Sequence, residues 1–288
     1  MPTKNLRHYY IKARKEGWAL GQFNWSTAEM LRGIVQAALK QKSPLLVGTS
    51  EGDSDFVGLR QAVGLVEAWR KDTGLPIFLN LDHGKSFSYL KAAIDVGYDD
   101  VHFDGSDLSL QKNIQEAKKV VAYAQRKRIA VVEGECGKIL GGSSLHKEKT
   151  IVLDKKKFTD PDQARDFVRK TRVDSFAVTI GNVHGIYRQM PQLDLERLKK
   201  IEKSVQSFLV LHGGSGIPSS QIRRAIKLGI VKINVSTELR AAYTKQFQKE
   251  TQKRPQEVTP YKLLPSAVEA VQKVAEEKIK IFGSAGKI

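Results

Sequence analysis

PIFLNLDHGKS, residues 76–86, carries an apolar run straight into a carboxylate and an imidazole, Asp82 and His83. A short run rich in Ile, Leu and Phe predicts a β-strand. Side chains on a regular strand alternate between faces, so Asp82 and His83 can face the same way only where the strand is ending. The fold depends on whether this strand has parallel companions.

It has seven: WALGQFN, PLLVGTS, DDVHFDG, IAVVEGE, SFAVTIG, FLVLHG and IVKINVS, each followed by a longer segment with helical spacing. Ser26 with Glu29 fits a capping box ahead of Met30, Ile34 and Ala38, and Pro218 opens a helix through Ile222 and Ile226. LPSAVEAVQKVAEEKIKIF, near the C-terminus, reads as a last long helix. Strands alternating with helices pair in parallel, because each helix returns the chain to the same edge. Eight such units in about 250 residues match an α/β fold of the closed (β/α)8, or TIM, barrel type. A doubly wound open sheet is the alternative. No Pro- or Ser-rich linker divides the chain, so residues 1–288 are expected to form one domain. The stretch 137–162 is too long and polar for a simple connection and reads as a flap after the fifth strand.

Composition narrows the function classes. Hydrophobic residues make up 41% and charged residues 27%, and no segment stays apolar for the ~18 residues a membrane helix needs. The formal net charge of +17, from 48 Lys+Arg against 31 Asp+Glu, favours anionic partners. The basic residues lie in helix-like stretches without interleaved aromatics, the densest run being KKK at 155–157. They read as a solvated surface, with no nucleic-acid or membrane partner expected. The single cysteine, Cys136, cannot form an internal disulfide, and MPTKNLRHYY lacks the apolar core of a secretory leader, so a cytoplasmic location is expected.

In a parallel barrel the chemistry gathers at the C-terminal ends of the strands. Those ends carry Asn24, Ser50, Asp82 with His83, Asp104, Glu135, His184, His212, and Asn234 with Ser236. His83, His184 and His212 are each followed by glycine, which lets backbone crowd toward a ligand. Of the other histidines, His102 lies inside a strand and is expected to pack against a neighbour. His8 sits in the first helix-like segment and His146 in the flap. Three converging imidazoles suit Zn²⁺ and leave a coordination position open. HGGSGIP and INVSTEL, after the seventh and eighth strands, offer backbone N–H groups and hydroxyls to an anion.

D-H-G-x-S, H-F-D-G-S, V-E-G-E-C-G, I-G-x-V-H-G-x-Y, L-H-G-G-S-G-I-P, K-I-N-V-S-T and K-I-x-x-F-G-S-A-G occur here in that order. Together they resemble the class II, zinc-dependent ketose-bisphosphate aldolases, which include fructose- and tagatose-bisphosphate aldolases. The resemblance runs from Phe23 to Gly283. It implies a TIM barrel, usually dimeric or tetrameric, that reversibly cleaves a ketose 1,6-bisphosphate to dihydroxyacetone phosphate and an aldehyde phosphate. It implies His83, His184 and His212 as zinc ligands, with Asp104 and Glu135 as alternative ligands. Asp82 becomes the acid/base at the C4 hydroxyl. Asn24, Ser50, Gly185, Gly213, Gly214, Ser215, Asn234, Ser236 and Thr237 become substrate- or phosphate-binding positions. A monovalent cation, Na⁺ or K⁺, is expected beside the phosphate.

The flap departs from the family pattern. Where the family carries G-G followed by carboxylates, this chain reads GGSSLHKEK, with Ser143, Ser144 and Leu145 at those places. Glu148 is the expected substitute for proton transfer; the alternatives are another group, or an altered reaction in a phosphate-metabolite-binding relative. Asp107 replaces a family histidine, which keeps tagatose bisphosphate or another phosphoketose open as substrate. Lys232, inside the eighth run, keeps open the imine chemistry of metal-free aldolases.

Overall fold

The computed structural model describes residues 5–127, 131–146, 148 and 150–288. Its strands are β1 (Leu20–Asn24), β2 (Leu45–Ser50), β3 (Ile77–Gly84), β4 (Asp100–Phe103), β5 (Val131–Glu135), β6 (Leu145–His146), β7 (Ser175–Ala177), β8 (Ile186–Tyr187), β9 (Phe208–Leu211) and β10 (Ile230–Val235). Eight close into a parallel barrel in the order β1-β10-β9-β7-β5-β4-β3-β2, while β6 and β8 pair outside it. All eight apolar runs contribute barrel strands, with Ile129 and Ala130 of the fifth lying outside the described residues. Pairing of Leu20 with Lys232 and Phe23 with Val235 closes the ring and rules out the open sheet.

The helix Ala28–Gln41 starts from Thr27 rather than Ser26: the Thr27 hydroxyl accepts the Met30 N–H at 3.3 Å. Both residue types cap well, so adjacent Ser and Thr gave the sequence no means of choosing. Ser219–Lys227 follows Pro218, and Pro265–Phe282 forms the last long helix, as expected. No described helix is long and apolar enough to cross a membrane.

β3 does not end at Asp82. It continues to Gly84 through a register break between Leu81 and Gly84, and His83 adopts φ 56°. A bulge, rather than termination, turns consecutive side chains to the same mouth.

The barrel interior is polar. Lys232 on β10 meets Asp100 on β4 and Glu133 on β5, contacts that cross the ring between opposite strands. The helix Leu6–Glu16 covers the N-terminal end of the barrel, packing Tyr9 and Tyr10 among Leu46, Phe78 and Phe208. Tyr10 extends the polar chain by donating its hydroxyl to Asp100 at 3.3 Å.

The 137–162 stretch includes β6 and a short 3-10 turn at Lys155–Lys157, and the helix Pro161–Thr171 begins before the stretch is over. Its first half is laid against the segment after β7. His184 N–H donates to Leu140 C=O at 2.8 Å and Ile186 N–H to Ser144 C=O at 3.1 Å.

Candidate active site

Asp82 lies at the mouth between two amides: Asn24 Nδ2 donates to Oδ2 at 2.9 Å and Asn234 Nδ2 to Oδ1 at 3.0 Å. Burial alone would raise this carboxyl, but His83, His102 and His212 outweigh it and hold the group well below the usual carboxylate range. An ionised, immobilised carboxylate is prepared to take a proton. The left-handed backbone at His83 costs on the order of 1–3 kcal/mol in a non-glycine residue. It places the imidazole beside that carboxylate.

The His83 ring centre lies 4.6 Å from that of His102, 4.8 Å from His184 and 4.6 Å from His212. His83 Nδ1 is 2.8 Å from Asp104 and His212 Nε2 is 2.6 Å from Glu133. When each carboxylate accepts a ring N–H, the tautomer is fixed and both His83 Nε2 and His212 Nδ1 are left as acceptors, the latter facing Asn234 Nδ2 at 3.2 Å. His83 Nε2 is buried with no protein partner. His184 is pushed down to about 3 by burial and by the neighbouring His83 and His212, so it too is a neutral donor. This donor set fits a borderline divalent cation.

Asp82, His83, His102 and His212 each offer a ligand atom within 4.8 Å of the others, and so do His83, Asp104 and Glu135. His184 is outside both groups, with its ring centre 6.3 Å from that of His212. Asp104 is occupied three times, by His83, by Lys85 Nζ at 2.6 Å and by Ser106 N–H at 3.1 Å, whereas Glu135 Oε2 is buried with His102 Nε2 3.3 Å away. His102 is the residue that sequence reasoning placed wrongly. It does pack against neighbours, but those neighbours are the site: Nδ1 lies 3.3 Å from the His83 backbone N, and Nε2 is 3.3 Å from Glu135. Burial opposes its charged form, yet Glu133, Asp82 and Glu135 together raise it to about 10. The alternation Asp100, His102, Asp104 was the available signal, because period-2 spacing puts all three inside the barrel.

Lys232 is not a free amine. Its ammonium is fully buried 3.0 Å from Asp100 and 2.8 Å from Glu133. Burial opposes the charge, but these carboxylates prevail and raise the group above its ordinary value. The imine route therefore lacks its nucleophile here.

Asn24, Ser50, Gly185, Gly213, Ser215, Asn234, Ser236 and Thr237 all border one cavity of about 140 Å³ with Asp82, His83, His184 and His212. Gly214 does not line it; its N–H is spent on Asn234 C=O at 2.8 Å. Gly213 has φ 64°, and a Cβ there would collide with Val183 C=O, so only glycine fits. The loop is braced from behind. Glu238 accepts Gly216 N–H at 2.6 Å and is itself held by Lys278 of the last helix at 2.6 Å. Ser236 Oγ is buried and unpartnered, and it stands at the start of the helix Thr237–Lys253, where an anion is favoured.

Ser50, an expected donor, is already committed. Ser50 caps the helix Glu51–Val57, with its hydroxyl donating to Asp53 at 2.7 Å and accepting Asp53 N–H at 3.2 Å. From the flap, Ser143 reaches the cavity wall, while Glu148 sits exposed in a turn. His146 stacks on Tyr187 with ring centres 4.7 Å apart, and Asp107 is engaged by Lys138 and, at 3.8 Å, by Lys85. Arg240, which the sequence did not single out, also borders the cavity.

A barrel whose strand ends hold carboxylate-braced histidines beside an anion cradle defines a metal-competent enzyme for phosphorylated substrates. The family model described as "Fructose-bisphosphate aldolase class-II" matches residues 4–287. The chain belongs to that family and is an aldolase. It is 39% identical over 277 residues to a sulfofructosephosphate aldolase of Alkalicoccus urumqiensis, covering 96% of this chain and 94% of the relative. It is 36% identical over 290 residues to a fructose-bisphosphate aldolase of Geobacillus stearothermophilus, covering 100% and 99%. Among solved structures, the YdjI aldolase of Escherichia coli K12 superposes with a TM-score of 0.85 at 34% identity, covering 98% of each chain.

Proposed function

We propose that the protein is a zinc-dependent aldolase that reversibly cleaves a ketose 1,6-bisphosphate, foremost fructose 1,6-bisphosphate, to dihydroxyacetone phosphate and glyceraldehyde 3-phosphate. The observation that carries this reading is the convergence of His83, His184 and His212 on Asp82 at one mouth, beside the cradle at Gly213–Ser215 and Ser236–Thr237. His83 and His212, oriented by Asp104 and Glu133, would hold the ion with His184. When bound, the ion supplies Lewis-acid stabilisation of the enediolate charge left by carbon–carbon cleavage.

Asp82 takes the C4 hydroxyl proton as that bond breaks and returns it in the condensation direction, held for both steps by Asn24 and Asn234. The Asn234 Oδ1, buried and unpartnered, accepts a substrate hydroxyl. The dihydroxyacetone phosphate end is seated by Gly185, Gly213, Ser215, Ser236 and Thr237, with a monovalent cation beside its phosphate. The flap returns a proton to the nucleophilic carbon, with Glu148 assigned as its carboxylate. A homodimer or homotetramer in the cytoplasm completes the proposal.

A second substrate has a specific observation behind it: the relative at 39% identity is named for sulfofructosephosphate. That name and fructose 1,6-bisphosphate share a ketose phosphate with a second anionic group. Dihydroxyacetone phosphate release, followed through a coupled dehydrogenase on fructose bisphosphate, tagatose bisphosphate and sulfofructose phosphate, ranks the substrates. Release from none of them would overturn the proposal.

A further inference from the structure

We propose that Asn182 is the positioning residue that fixes His184 against His212, and so sets the span across which these two imidazoles hold a metal ion. The inference rests on the zinc reading above. It gives a role to the first open position of the I-G-x-V-H-G-x-Y segment, residues 180–187.

His184 needs such a device. The rings of His83 and His212 have Asp104 and Glu133 behind them, whereas the His184 ring has no hydrogen-bond partner among the described residues. Its place is therefore set by its backbone. That backbone lies well past Ala177, where β7 ends, so no ladder holds it.

Asn182 supplies the missing connection from within the protein, with only 2% of its surface exposed. Its Oδ1 accepts Ile180 N–H at 2.8 Å, and its Nδ2 donates to Val178 C=O at 3.1 Å and to His212 C=O at 3.2 Å. Because Oδ1 must face an N–H, the orientation of the amide is fixed and both of its hydrogens go to carbonyls. One side chain thus joins the end of β7, the turn at Ile180 and the backbone of His212, which directly follows β9. The next residue repeats the contact, since Val183 C=O lies against Gly213. The segment that carries His184 is docked at two successive residues onto the segment that carries His212. The two rings stand with their centres 6.3 Å apart as a result.

Two variants separate this role from ordinary packing. Asn182→Asp keeps the shape and the acceptor but turns an oxygen toward two buried carbonyls, which is repulsive. Asn182→Ser stays neutral but is too short to reach His212. Both are expected to lower Zn²⁺ affinity roughly 10- to 100-fold in competition with a fluorescent chelator, as for loss of a group that orients metal ligands. The visible absorption of the Co²⁺-loaded protein, which reports ligand geometry, should change with it. Ser207→Ala is the control, because Ser207 Oγ donates to Val173 C=O at 2.7 Å and so joins the same two strands at their opposite ends. It should lower the urea midpoint yet leave Zn²⁺ affinity within about threefold of the parent.

A folded Asn182→Ser protein with parental Zn²⁺ affinity and an unchanged Co²⁺ spectrum would overturn the inference while the aldolase reading stands. An equal loss of affinity in Ser207→Ala would overturn it too, because any loosening of β7 against β9 would then suffice. If neither Asn182 variant folds, the residue holds the barrel rather than the site, and the inference is again lost. If the parent protein itself binds no zinc, the zinc reading fails and this assignment fails with it.

Discussion

His212 shows how one residue's role is set by what stands behind it. Its Nε2 is tied to Glu133 at 2.6 Å, and Glu133 is tied to Lys232 at 2.8 Å, so three buried side chains set where Nδ1 points. Glu133→Gln is expected to weaken metal affinity about 10- to 100-fold, measured by competition with a fluorescent chelator. Unchanged affinity would show that Glu133 only packs. Lys232→Met should cost about 3–5 kcal/mol of stability in urea melts, because Asp100 and Glu133 lose their buried counter-charge. Residue identity was partly legible in sequence. His83, His184 and His212 stood out by the glycine that follows each, although His184 lies in the segment beyond β7 rather than at its end, whereas Lys232 and His102 sat inside strands, where apolar packing was the ordinary expectation. Arg240 was hidden for another reason: its partner, Asp53, is 187 positions away in sequence.

At the scale of elements, the flap and the segment after β7 form one unit. β6 pairs with β8 through Leu145–Ile186 and His146–Tyr187, and Gly185, with φ 94°, lies under the flap. A Cβ at Gly185 would stand 2.5 Å from Gly142 C=O and 2.7 Å from Ser144 C=O. Gly185→Ala is therefore expected to lift the flap and lower kcat by at least about tenfold, with zinc content unchanged; full activity would contradict the docking. Glu148→Ala checks the flap's proposed carboxylate, and undiminished exchange of the dihydroxyacetone phosphate proton in that variant would remove it from the mechanism. The flap was visible in sequence as a long polar insertion. Its pairing was not, since two-residue strands have no periodicity to read. The bulge in β3 escaped for a similar reason: an alternating pattern predicts where a strand runs, not where its backbone turns left-handed.

Across the whole molecule, the barrel was the most legible feature because eight apolar runs and their helices all had to pack into the same ring. Its charged interior was the least legible, and it makes stability depend on pH. In metal-free protein, His184 is pushed down to about 3 and His212 is also lowered by burial, whereas the unfolded chain protonates both near 6.5. The unfolded state then binds more protons, so stability is present above 6.5 and is lost as pH falls below it. Asp100, raised to about 6 chiefly by burial, works the other way, because the folded state takes its proton first. His102, raised to about 10, is protonated in both states over this interval and cancels. Asp99, also raised by burial, works the same way as Asp100, while the depressed carboxylates Asp82, Asp104 and Glu133 side with the imidazoles, so the balance is a loss of stability on acidification. Urea midpoints between pH 6 and 4.5 check the sign, and a protein that gained stability on acidification would contradict it.

The central claim is that histidine-held zinc and Asp82 together cleave a phosphorylated ketose. The most direct measurement is aldol cleavage of fructose 1,6-bisphosphate and sulfofructose phosphate by protein stripped with EDTA and then titrated with Zn²⁺. Activity that vanishes on stripping and returns in full at about one equivalent of zinc is the predicted result. Activity that survives complete metal removal would contradict the account.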